Sequence, residues 1–117
     1  MSATQRMVGE GEAMWGAAKA YLREATLTVW EGASRNRSLT EEARIRLRLA
    51  GTHGIRSAGQ VVDVAYALGG ASSIFASNPV QRRFRDVHTI TQQIQGRLSH
   101  YDTAGQYFLG LKPEGFY

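Results

Sequence analysis

The chain has 117 residues and a mass of 12.9 kDa, enough for one domain and too few for two. Its composition, 43% hydrophobic and 21% charged, is that of a globular protein, and the lack of cysteine excludes disulfides, thiolate zinc sites and cysteine nucleophiles. No signal peptide and no run able to span a bilayer are recognisable, which with the absence of cysteine favours a cytoplasmic protein.

Apolar residues recur at helical spacing over the first third of the chain. The row comprises Met7, Met14, Ala18, Tyr21, Ala25 and Val29. Steps of three, four and seven place these side chains on one stripe, which predicts an amphipathic helix over residues 4–33. The polar and glycine-bearing segment 32–37 ends it.

A second helix is predicted over residues 39–68, beginning at a capping box formed by Ser38 and Glu41. Three glycines inside it, Gly51, Gly54 and Gly59, each cost up to about 1 kcal/mol relative to alanine. Close approach of another helix would compensate for them. The pair Gly69-Gly70 then ends the helix, because glycine readily adopts the left-handed conformation that helix C-termini use.

A third helix is predicted over residues 79–95, with Asn78 as its cap and Pro79 at its first position. Gly96 breaks it, and a short fourth helix follows over 99–109. The fold class is therefore all-α, an antiparallel four-helix bundle. The two long helices extend beyond the two shorter ones, so part of their apolar surface stays uncovered. Such a surface favours a homo-oligomer.

The net charge is +4, and the surplus of cations is local. Six arginines, Arg35, Arg37, Arg44, Arg46, Arg48 and Arg56, accompany only two nearby acids, Glu41 and Glu42. Such a patch attracts nucleic acid or another anion, or it is a solvated helix face that pairs with acids. The sequence leaves both interpretations open, although no nucleic-acid recognition motif accompanies the patch.

The junction between the second and third helices carries the most chemistry. The glycine pair leads into a helix whose first two turns hold Arg82, Arg83 and Arg85. Free amides at a helix start, glycine amides and guanidinium groups together suit a phosphate. In the alternative, Arg85 pairs with Asp86 or with acids of other helices. A lone helical histidine such as His88 is more often a packing residue than a catalyst, and nothing beside it suggests a metal site.

At these residues the chain resembles the C-terminal helical domain of the acyl-CoA dehydrogenase superfamily, closest to its branch of two-component flavin-dependent monooxygenases. The residues that carry the resemblance are Gly69, Gly70, Asn78, Pro79, Arg82, Arg85, Asp86 and His88. Segment 85–93, Arg-Asp-Val-His-Thr-Ile-Thr-Gln-Gln, is its most specific part. The resemblance covers nearly the whole chain and implies a helical bundle at the centre of a homo-oligomer.

The resemblance also implies a flavin cofactor, FMN or FAD, approached by Gly69, Gly70, Arg82 and Arg85. His88 and Gln93 are the candidate catalytic residues. In the monooxygenase branch a histidine lies near the reactive edge of the flavin, and by register its place is taken here by Gln93. Glutamine can donate a hydrogen bond but cannot carry a proton as imidazole does.

The family's N-terminal and middle domains, which supply most of the flavin and substrate walls, are absent from residues 1–117. The chain is then a fragment, a split subunit that joins a partner carrying those domains, or a degenerate copy. Three functions follow, in order of preference: a module of a flavin oxidoreductase, inactive in isolation; a non-catalytic helical assembly protein; and a basic nucleic-acid binder.

Overall fold

The computed structural model describes residues 2–70 and 74–115, and it contains helices and turns but no strand over that part. The helices are α1 (Ser2–Ser34), α2 (Glu41–Leu68), α3 (Pro79–Ile90) and α4 (Ser99–Phe108), with a 3-10 turn at Ile94–Gly96. The predicted all-α fold with four helices is confirmed. No helix in the described ranges has both the length and the apolar character needed to cross a membrane.

Helix α2 is the centre of the molecule, because α1, α3, the 3-10 turn and α4 all pack against it. The chain measures 51 × 26 × 24 Å and its radius of gyration is 17.1 Å. A compact chain of this size has a radius of gyration of about 13 Å. The molecule is therefore elongated along its two long helices, and among the described residues α1 packs mainly against α2.

The hydrophobic core is built mainly from small side chains. The buried apolar residues are Ala18, Ala25, Ile45, Ala50, Val87 and Ala104. Small residues let the helices approach closely but bury little apolar area per residue. Many larger side chains remain exposed, among them Val8, Trp15, Leu22 and Trp30 of α1.

The helix ends follow local capping chemistry, with one correction. The predicted capping box at Ser38 is wrong: the cap of α2 is Thr40, whose hydroxyl accepts a hydrogen bond from the Ala43 amide at 3.0 Å. Thr40 lies directly before Glu41 and Glu42, whose charges favour a helix N-terminus. Helix α2 ends as predicted, with Gly70 in the left-handed region at φ +58°.

Helix α3 also begins as predicted, with the Asn78 side chain accepting from the Val80 amide and Pro79 at the first position. Its predicted end at residue 95 is wrong, since α3 stops at Ile90. The cause is tertiary. Side chains of α2 bind the backbone carbonyls of Thr91, Gln95 and Gly96 and hold this segment as a turn.

The glycines of α2 divide into two groups. Gly59 lies beside the end of α3, because a Cβ placed there would be in ordinary van der Waals contact, at 3.4 Å, with the methyl group of Thr91, the residue that follows α3. At Gly51 and Gly54 a Cβ would meet nothing within 4 Å. Gly59 thus has a neighbour at ordinary contact distance, while the described chain supplies none at the other two glycines, and the close helix approach stays a prediction.

Candidate functional site

The glycine end of α2 and the start of α3 lie on either side of one loop. Residues 71–73 of this loop lie outside the described residues. The Gly69 amide donates a hydrogen bond to the Ala65 carbonyl at 3.0 Å, so this amide belongs to the last turn of α2. Gly70 takes the positive φ that a residue with a side chain rarely adopts.

The start of α3 offers no free amide to an anion. Pro79 has no N–H, Val80 donates to the Asn78 side chain at 2.9 Å, and Gln81 donates to the Asn78 carbonyl at 3.1 Å. The expectation that open helix-start amides contribute to a phosphate site is wrong for these positions. At residues 79–81, therefore, only side chains are available to hold an anion.

The arginines of α3 differ in their partners. Arg82 pairs with Asp86 at 3.8 Å, and both side chains are largely exposed, at 75% and 56%, so this pair contributes little stability. Asp86 is thus taken by Arg82 rather than by Arg85, its alternative partner in the sequence interpretation. The exposed guanidinium of Arg85 makes no ion pair or hydrogen bond within the described part of the chain.

His88 is held against α2 by Asp63, a residue that no motif in the sequence had indicated as functional. Its Nε2 lies 2.6 Å from Oδ1 of Asp63, and both side chains are about half exposed. The imidazole ring packs on Phe84 with centroids 4.4 Å apart, and Phe84 packs on Tyr66 at 4.2 Å. A signal existed in the sequence, because Asp63 is the lone acid in the apolar second half of α2. Asp63 and His88 are 25 residues apart in the chain, so the sequence alone did not indicate that they form a pair.

Gln93 lies beyond α3, directly before the 3-10 turn, with an extended backbone at φ −75° and ψ 159°. Its amide donates to the Ile90 carbonyl at 3.0 Å, and its carbonyl accepts from Gly96 at 2.9 Å. The side chain is exposed and does not cap the turn. The structure therefore places Arg82, Arg85 and His88 on successive turns of α3 and Gln93 on a separate turn.

The arginine patch of α2 is largely engaged by other groups. Arg46 pairs with Glu42 at 3.7 Å and stacks over the Phe108 ring at 4.8 Å. Arg48 donates to the Gln95 side chain, and Arg56 donates to carbonyls of the turn. These contacts favour the interpretation of a paired, solvated face over that of a nucleic-acid surface.

The chemistry available at the α2–α3 junction is anion binding and proton handling. An exposed guanidinium can bind phosphate or carboxylate oxygens through two parallel hydrogen bonds. A carboxylate on one imidazole nitrogen fixes the ring and its tautomer, with a proton on Nε2 and acceptor capacity on Nδ1. Within the described ranges no three His, Asp or Glu side chains cluster as a metal site would require.

Comparison with known proteins gives consistent matches. The model of the family "Acyl-CoA dehydrogenase, C-terminal domain" matches residues 1–96. An indole-3-acetate monooxygenase of Acinetobacter baumannii is 30% identical over 110 residues, which are 94% of this chain and 28% of that protein. Another, of Pseudomonas putida, is 29% identical over 106 residues, 91% of this chain and 27% of that protein. The chain thus spans little more than a quarter of these relatives.

Proposed function

Because the chain belongs to the family of acyl-CoA dehydrogenase C-terminal domains, we propose that it is the helical domain of a cytoplasmic flavin-dependent oxidoreductase. The two relatives favour the monooxygenase branch. In this proposal the chain forms the oligomer core and one wall of a flavin site. The family's other domains, carried on a longer polypeptide or a partner subunit, supply the remaining walls.

The observation that carries the cofactor proposal is the exposed guanidinium of Arg85, one turn before the His88–Asp63 pair on the same helix. Flavin nucleotides are anionic, and an arginine with no ion pair among the described residues can bind them without breaking one there. Arg82 contributes after release from its weak pair with Asp86. The glycines contribute a close approach of the backbone, since Gly70 has no side chain in the way.

The residues present suit a flavin as one wall of its site, through side chains rather than helix-start amides. A bound flavin supplies the redox chemistry. Arg85 would bind and orient it, and the side-chain amide of Gln93 would supply a hydrogen-bond donor to it. The His88–Asp63 pair holds a proton at Nε2. Glutamine cannot shuttle protons, so any proton transfer by this chain depends on His88.

The oligomer core in this proposal is the uncovered side of the α1–α2 hairpin. Val8, Trp15 and Leu22, seven residues apart, are 56%, 48% and 39% exposed. Val8 and Trp15 line a groove of about 200 Å³ between the two helices, and Leu22 lines a second groove of about 470 Å³ together with Gly51.

A second copy of the chain is the occupant that fits this side best. An exposed row with heptad spacing suits packing against another helix, and the open glycines of α2 admit a close approach. Glu12 borders the smaller groove and Arg44 the larger one. In a dimer with a two-fold axis, the smaller groove of each copy can face the larger groove of the other. This arrangement brings the opposite charges of Glu12 and Arg44 together.

A second candidate function is a non-catalytic assembly protein that kept this apolar surface and lost the active site. The observation that favours it is Gln93 itself, which stands where the monooxygenase branch places its histidine. This alternative predicts oligomers without any flavin binding, even in the presence of the missing domains.

Flavin fluorescence titrations distinguish the two candidates. We expect weak or no binding of FMN or FAD to the chain alone, because one wall leaves most of the ligand in water. Adding a polypeptide with the family's N-terminal and middle domains should restore binding, and Arg82→Ala or Arg85→Ala should weaken it. Arg23→Ala, on exposed surface of α1, is the charge control. Equal binding after changing Arg82, Arg85 and His88 together to alanine contradicts the site, and tight binding by the chain alone contradicts the incomplete pocket.

A further inference from the structure

The turn that carries Gln93 is held by side chains of α2. Arg56 donates through Nε to the Gly96 carbonyl at 2.7 Å and through Nη2 to the Thr91 carbonyl at 3.4 Å. Thr52, fully buried, donates its hydroxyl to the Gln95 carbonyl at 2.7 Å. Two side chains one helical turn apart on α2 thus bind three carbonyls of the same short segment.

These bonds replace those of a continuing helix. If α3 extended to residue 95, the Thr91 carbonyl would accept from the Gln95 amide, four residues later. Instead the guanidinium of Arg56 approaches it, and α3 ends although no proline or glycine lies between residues 91 and 95. The apolar spacing through this segment is helical, and the side chains of α2 supply the hydrogen bonds that favour the break.

The turn is also closely packed. A Cβ at Gly96 would lie 3.1 Å from both the Ile55 side chain and the Thr91 carbonyl oxygen. From the other side, buried His100 of α4 places Nε2 2.6 Å from the Ile94 carbonyl. The backbone around Gln93 is therefore fixed by α2 and α4, while the Gln93 side chain itself stays exposed.

From this contrast between a fixed backbone and an exposed side chain, we propose that Arg56 is a positioning residue that sets where Gln93 is presented to the flavin. This inference rests on the function proposed above. Had α3 continued, Gln93 would occupy a helical position about 140° around the axis from His88. The guanidinium of Arg56 stabilises the unwound segment, and the unwinding gives Gln93 its extended backbone outside the helix.

Amide hydrogen exchange on the full chain tests whether Arg56 holds the turn, without any flavin. We expect Arg56→Gln to speed the exchange of the Gln93 and Gly96 amides at least tenfold, with α1 amides unchanged. Arg56→Lys keeps the charge and a donor but cannot reproduce the planar two-carbonyl contact, so its exchange should fall between those of Arg56→Gln and the wild type. Arg23→Gln on α1 is the matched control. Unchanged exchange in Arg56→Gln would overturn the proposal.

A double-mutant cycle in the complex with the flavin-domain polypeptide tests whether Arg56 acts through Gln93. We expect Arg56→Gln and Gln93→Ala each to shift the absorbance spectrum of bound flavin, and the double variant to match Gln93→Ala alone. Independent, additive shifts would assign Arg56 a purely structural role and refute positioning. If the complex binds no flavin, the proposed function fails, while the exchange measurement still decides whether Arg56 holds the turn.

Discussion

The two halves of the molecule are held together differently. Around α1 and the facing side of α2, the buried residues are small and apolar, as at Ala18 and Ala25, while Trp15 and Trp30 remain in solvent. Around the turn after α3, buried polar side chains bind backbone carbonyls, as Thr52 and His100 do. One half has unused apolar surface, and the other has a closely fitted polar network.

This difference suits the two halves to different roles. We infer that the α1–α2 half serves association with another helix and that the half around the turn holds the backbone at Gln93 in place. Apolar packing is non-directional, so the α1–α2 half can accept another helix without changing its own fold. Hydrogen bonds are directional, so the half around the turn holds its backbone in one geometry. We therefore expect substitutions in the second half to disturb local structure and substitutions on the open face of the first to disturb association.

The largest expected effect comes from the most deeply buried large apolar side chain. Ile45 of α2 is 1% exposed and is the largest fully buried apolar side chain of the described residues. We expect Ile45→Ala to lower the free energy of unfolding by about 2–4 kcal/mol, through lost burial and a residual cavity. Urea denaturation followed by circular dichroism measures this. Leu109→Ala, at a side chain 78% exposed, should change stability by less than about 0.5 kcal/mol, and an equal loss there would contradict the assigned core.

The turn after α3 should be sensitive to a single methyl group. In Gly96→Ala the new Cβ would press on Ile55 and on the Thr91 carbonyl, and we expect a loss of about 1–3 kcal/mol. Gly105→Ala in α4 is the control, because a Cβ there meets nothing within 4 Å and should stabilise the helix by about 0.5–1 kcal/mol. The comparison between the halves would be weakened if both variants gained stability in the same denaturation assay.

The smallest effect is a dependence on alkaline pH at the α2–α4 contact. The Tyr101 hydroxyl forms a hydrogen bond with His53 Nδ1 at 2.9 Å. Burial raises the pKa of the Tyr101 phenol above the ordinary 10.0, and the positive charge of Arg56 offsets part of this rise. The folded state therefore favours the neutral phenol. The stability that the neutral Tyr101 phenol contributes to the fold is fully present below pH 10 and is lost as the pH rises through the raised pKa.

Stability measured by urea denaturation between pH 9 and 11 checks this point. We expect the wild type to lose stability more steeply with pH than Tyr101→Phe, which has no phenol to ionise. Tyr107→Phe, in the same helix, serves as the control and should retain the slope of the wild type. Identical slopes in the wild type and Tyr101→Phe would show that the contact does not favour the neutral phenol.

The helices were predictable because periodicity, Gly70 and Asn78 are local signals. The end of α3 was not, because its cause lies in Thr52 and Arg56, some 40 residues away along the chain. The cap of α2 was misassigned because Ser38 and Thr40 both offer a hydroxyl near the helix start, and only the backbone path selects Thr40. At the site, helical spacing alone placed Arg82, Arg85 and His88 on successive turns of α3, whereas the Asp63 partner required the packing of α2 on α3.

The central claim is that the open α1–α2 face is completed by a second copy, and sedimentation equilibrium of Gly54→Leu tests it most directly. A Cβ at this glycine meets no atom of the described chain. Leucine has a higher helix propensity than glycine, by about 0.5–1 kcal/mol, and circular dichroism of the same variant separates a loss of association from unfolding. We predict an oligomeric wild type, and a Gly54→Leu variant that keeps the helical circular-dichroism signal of the wild type yet dissociates at least tenfold more readily. A wild type that is monomeric across the concentration range, or unchanged association in the variant, would contradict the claim.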